Sequence, residues 1–205
     1  MNPVFNRRTA LRGAVVLAGL TGLRGTVAET ASADGFKELT WKLIRPSSNF
    51  PLMPVRVISG IPATIGYGKP VAIGPVIVQA TCDKNVGPVV RSTGCDMVSA
   101  VFDLTVVVTD ARGLSGRFPV TVQFPRTEVP STQVEFVFTG TATLTGPGTP
   151  PAARNPGLMR ITVDRRVTGV TTLYDVKTGV PHQLASQADL IPPDQDPLIA
   201  TIEVR

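Results

Sequence analysis

Histidine is almost missing from this 205-residue chain, cysteine occurs twice and tryptophan once. A lone histidine, His182, cannot build a multi-imidazole metal site, and the two cysteines do not form a C-x-x-C pair. No metal ion and no cofactor is expected. Aromatic residues make up only 5% of the chain, which is thin material for the stacked platform of a sugar-binding module. Beyond residue 33 they are Trp41, Tyr67, Tyr174 and phenylalanines, and Trp41 alternates with Leu39 and Leu43 as a core residue does. The apolar run Gly13–Leu23 would cover only ~16 Å as a helix against a ~30 Å hydrocarbon core, so stable membrane insertion is not expected. No cluster of cations denser than Arg165–Arg166 follows it, and a phosphate backbone would need a stripe of them. Nucleic acid is therefore a poor partner.

What is present begins at the N-terminus. Met1–Arg12 carries three arginines and no acid, an apolar stretch follows, and Ala31-Ser32-Ala33 supplies small residues where a signal peptidase cuts. Residues 1–33 read as a cleavable export signal with Ala31 and Ala33 flanking the recognition site. Arg7, Arg8 and Leu11 stand as in a bacterial twin-arginine motif, although Ala10 replaces the usual aromatic. Twin-arginine and general secretion both remain open, and either delivers a secreted, extracellular or cell-envelope protein. No cysteine lies between Leu20 and Gly35, which removes a lipid anchor at the cleavage site. The leader holds four arginines against Glu29 alone, leaving sixteen bases and fourteen acids from Asp34 onward, so the basic character belongs largely to the signal.

Cys82 and Cys95 are the only cysteines. In an oxidising exterior they are expected to bridge, closing a loop for about 3 kcal/mol of chain-entropy stabilisation. The intervening Asp83–Gly94, with Gly87-Pro88 and Ser92-Thr93-Gly94, reads as a hairpin-like excursion rather than a helix.

Apolar and polar residues alternate in Thr40–Ile44, Val55–Ile58, Val76–Thr81, Phe102–Thr109, Phe118–Phe124, Val134–Leu144, Met159–Val163 and Ile199–Val204. Pro- and Gly-rich joints separate these runs, and the pattern predicts an all-β, antiparallel, immunoglobulin-like β-sandwich over residues 34–205 with Greek-key connections. The alternative division is into lobes at 34–127 and 128–205, with Gly146–Gly157 otherwise a long loop within one domain.

Phe50-Pro51-Leu52-Met53, Ile61-Pro62 before Gly66 and Gly68, and Pro130 leading into Val134–Leu144 resemble secreted actinobacterial immunoglobulin-like domains of unknown function, over residues 40–175. The family often has a cysteine before the Phe-Pro pair, where this chain has Ser48-Asn49. The resemblance implies an exported β-sandwich and supplies no activity.

No catalytic grouping is evident. Ser115, in Gly113-Leu114-Ser115-Gly116, has the wrong glycine spacing for a nucleophile elbow. His182 stands beside Pro181 in a predicted loop, and Asp194-Gln195-Asp196 lacks the spaced donors of a calcium loop. Asp103 alternates with Phe102 and Leu104 and is expected to face solvent. The expectation is an exported, non-catalytic structural or interaction protein whose partner is an unknown protein or cell-envelope component. The alternative is a secreted hydrolase with a site assembled from scattered Asp, Glu, Ser and His182, distinguished by whether His182 sits in a cleft beside Ser or Asp.

Overall fold

The computed structural model describes residues 38–45, 48–58, 60–71, 76–145 and 153–205. The segment read as an export signal, with Arg7, Arg8, Leu11, Ala31 and Ala33, lies outside the described residues, as does the first part of Gly146–Gly157.

Alternating side chains make the strands. In β1 (Glu38–Arg45) Leu39 and Trp41 are buried while Glu38 and Lys42 are exposed, and in β4 (Val76–Cys82) Val78, Ala80 and Cys82 turn inward. The other elements are β2 (Ser48–Ile58), β3 (Thr64–Ile65), α1 (Val86–Ser92), β5 (Cys95–Thr109), β6 (Ser115–Glu128), β7 (Phe136–Leu144), β8 (Gly157–Val163), β9 (Arg166–Asp175), β10 (Pro181–Leu190) and β11 (Leu198–Val204).

These strands do not form a sandwich. They run in the order β3-β11-β8-β5-β6-β7-β4-β2-β1-β10-β9, and β9 pairs back onto β5 from Cys95↔Asp175 to Asp103↔Thr168. That pairing closes β5, β6, β7, β4, β2, β1, β10 and β9 into an eight-strand antiparallel barrel. The immunoglobulin-like β-sandwich expected from the sequence is corrected accordingly. Alternation and turn residues suit either architecture, whereas the difference lies in whether the outermost strands meet.

Local features let the sheet curl. Register shifts fall at Lys42/Ile44, Cys95/Met97 and Val98/Ala100, each a place where a strand can bend. Gly140 and Gly169 occupy positions where a side chain would collide with the neighbouring strand. A Cβ on Gly140 would lie 2.7 Å from the Gln123 carbonyl oxygen and 2.8 Å from the Phe124 ring. Barrel strands come from both sides of residue 128.

β5 belongs to both the barrel and a smaller extension of the same sheet. One edge carries β6; the other carries β9 along its first part and β8 along its last, from Val106↔Val163 to Thr109↔Arg160. β8, β11 and the short parallel β3 form an annex with its own core, in which Val71, Ile161 and Ile202 are almost fully buried. The larger core lines the barrel interior and includes Trp41, Phe102, Phe124 and Phe138.

The segment Asp83–Gly94 is a second correction, since it contains helix α1 rather than a hairpin. Pro88 stands in the first helical turn, where its missing N–H would have had no helical acceptor. Gly94, at φ +81°, ends the helix and donates its N–H to the Arg91 carbonyl at 3.0 Å. Gly87 sits close against Pro130, and a Cβ there would meet the Pro130 oxygen at 2.6 Å. Arg91 ties the helix to the barrel, its Nε donating to the Val129 carbonyl at 2.8 Å.

Cys82 ends β4 and Cys95 begins β5, with α1 between them. In this structure both are buried free thiols, and burial pushes the Cys82 thiol up to about 12.

Candidate functional site

The inward side chains leave a cavity of about 260 Å³ inside the barrel. Its size follows from residue choice. Large side chains such as Met53 and Phe138 are interspersed with Ala80, Ala100 and Ala188, which leave the middle of the barrel unfilled. Phenylalanines from three successive strands form one wall: Phe102 meets Phe124 edge-on at 6.4 Å, Phe124 lies 6.0 Å from Phe138, and Phe138 lies 5.5 Å from Phe136. Trp41 belongs to β1, the strand opposite β6 in the barrel order, and helix α1 contributes Val86, Val89 and Val90 at the end where Cys82 and Cys95 lie.

Polar groups around this space are few, and most are occupied. Thr171 and Ser186 hydroxyls are 2.8 Å apart, and Ser186 donates onward to the Leu184 carbonyl at 3.2 Å. Thr93 donates to the Val90 carbonyl at 2.6 Å, while Asp83 accepts two bonds from Asn85 at 2.8 Å. Trp41 is only 6% exposed, yet no described residue accepts a hydrogen bond from its indole N–H. Among the described lining residues there is no Lys, Arg or His.

None of His182, Ser115, Asp103 and Asp196 lines the cavity. His182 lies on strand β10 rather than in a loop, exposed, opposite Leu173 and outside the cavity lining. It adds to the field on Asp175, whose carboxyl is held below its ordinary range first by the backbone N–H and hydroxyl of Thr178, then by the Lys177 N–H. Ser115 starts β6 and its hydroxyl bonds to that of Thr109 at 2.9 Å. Asp103 is exposed, as its alternation implied, and accepts from Thr121 at 2.7 Å. Asp196 pairs with Arg160 at 3.7 Å and accepts from the Leu198 N–H. Among the described residues no three of His, Cys, Asp and Glu converge as a metal site.

Trp41 therefore packs in the barrel wall, and Tyr174 is covered by the Arg126 guanidinium 4.1 Å from its ring centre. The cavity itself was not foreseen from sequence. Its local signal is the placement of Ala80, Ala100 and Ala188 at inward positions of three different strands. No protein-family model matches the chain, and no curated protein matches its sequence.

Proposed function

We propose that this is an exported, non-catalytic binding protein that takes a small apolar molecule into the interior of its barrel. The observation that carries the reading is the cavity of about 260 Å³, lined from all eight barrel strands almost entirely by hydrocarbon side chains. An apolar cavity of about 150 Å³ accepts benzene, so by proportion this one suits a molecule of about ten carbon atoms. Such a site needs no catalytic grouping, which accords with Ser115, His182, Asp103 and Asp196 all lying exposed and outside the cavity lining. The hydrolase alternative gains no support from His182, which stands exposed outside the cavity lining.

Export belongs to the same proposal and rests on the arginine-rich leader. Replacing Arg7 and Arg8 together by lysine blocks secretion if the twin-arginine route is used, because lysine does not reproduce the guanidinium pair. Undiminished secretion assigns the protein to the general route.

Binding is tested with tetralin, an uncharged ten-carbon hydrocarbon. The expected results are a rise in melting temperature with ligand concentration and a shift of the chain's single tryptophan indole signal, that of Trp41, in a ¹⁵N–¹H spectrum. Absence of both responses at saturating tetralin would overturn the reading.

A further inference from the structure

The polar groups around the cavity narrow the chemistry of its occupant, on the reading that the barrel interior is a ligand site. Thr171, Ser186 and Thr93 already have acceptors or donors within the fold, and Asp83 is held by Asn85. Trp41 is different: it lines the cavity, is 6% exposed and has no described acceptor for its Nε1–H. A buried indole N–H ordinarily finds a partner, because leaving it unpaired in an apolar interior forfeits its hydration without replacement. A ligand oxygen lying against Trp41 would supply one.

That oxygen is neutral. A carboxylate or phosphate entering this space would meet no Lys, Arg or His among the described lining residues, and Asp83 contributes charge of the same sign. Burying an unpaired anion there is far costlier than burying a carbonyl that accepts one hydrogen bond. We infer that the barrel binds a neutral molecule of about ten carbons that carries a hydrogen-bond-accepting oxygen, a ketone, aldehyde or ether, held by Trp41 Nε1–H. Free fatty acids and other anions are excluded from the class.

The experiment compares tetralin with 1-tetralone, two ten-carbon probes that differ by one carbonyl group, by calorimetry and by NMR on the full chain. With 1-tetralone the Trp41 indole proton moves downfield of its position in the tetralin-bound protein, as a new hydrogen bond forms. In Trp41→Phe the ratio of tetralone to tetralin affinity falls about fivefold, the worth of one such hydrogen bond. If that variant does not fold, the indole proton shift in the unaltered protein decides alone. Tetralin binding without a tetralone-specific shift, or with an unchanged ratio in the variant, overturns the carbonyl contact and leaves the cavity reading standing. Failure of both probes to bind overturns the cavity reading, and tight binding of decanoate overturns the exclusion of anions.

Discussion

Gly169 and Phe102 face each other across the pairing that closes the barrel, and a Cβ on Gly169 would lie 2.7 Å from the Phe102 ring and 2.1 Å from the Val101 carbonyl oxygen. No real side chain tolerates that approach to backbone. Gly169→Ala therefore forces β9 away from β5 and loosens the closure, with an expected loss of about 3 kcal/mol read from urea denaturation. Gly179→Ala is the control. Its space is open but its φ is +67°, and its cost is about 1 kcal/mol. Equal effects at the two positions would show that the β5–β9 contact is slacker than described.

Filling the cavity separates ligand binding from folding. Ala188 points inward from β10 at 2% exposure and lines the empty space. Ala188→Leu adds carbon atoms where there are none, so it raises stability by about 1 kcal/mol and abolishes tetralin binding. A thermal melt with and without tetralin measures both. Retained binding in the variant would place the ligand elsewhere.

The thiols report on the redox state. With Cys95 at 2% exposure and burial raising Cys82 to about 12, native protein at pH 8 is unreactive toward Ellman's reagent, and unfolding in guanidinium releases two thiols. Protein recovered after export that releases none until a reductant is added contains the bridge expected from the sequence.

Acid weakens the fold partly through Asp189. Arg166 donates to both of its carboxylate oxygens, at 2.8 and 2.9 Å, and this hydrogen-bonded pairing holds the carboxyl below its ordinary range despite partial burial. A carboxyl whose folded pKa is depressed adds stability above its unfolded pKa and loses it as pH falls through the folded value. Arg166 is largely solvent-exposed, so screening keeps the effect small. Asp189→Asn flattens that part of the acid limb in a pH series of denaturant midpoints, and an unchanged acid limb would count against the pairing.

Much of the strand content was legible because the two faces of each strand differ so sharply. Leu39, Trp41 and Leu43 alternate with Thr40 and Lys42, and Val78 and Ala80 alternate with Ile77 and Gln79 in a run rich in β-branched residues. β9 and β10 escaped notice for physical reasons. Gly169 and Ser186 interrupt their inward rows, and their flanks carry Thr, Gln and Asp, so neither shows a strong apolar period. α1 was missed because Gly87-Pro88 reads as a turn unless the proline is placed in a helix's first turn. Closure was invisible for another reason: it depends on residues as distant as Phe102 and Gly169 meeting, and a local period carries no information about such a partner. The cavity inherits that blindness, since three alanines on separate strands mean nothing until the strands encircle one space.

Val106 and Ile199 pack against both the barrel core and the annex core, and β5 runs from the barrel into the annex as one strand. A strand with two sets of neighbours acts as a common beam: the annex cannot peel away without exposing apolar surface that the barrel also uses. Melting then proceeds as one cooperative event in a calorimeter, and the slowest-exchanging amides gather along the shared part of β5. Strain introduced at β8 or β11 reaches the rim of the barrel cavity through Val163 and Ile199, so the annex acts as a brace on that cavity.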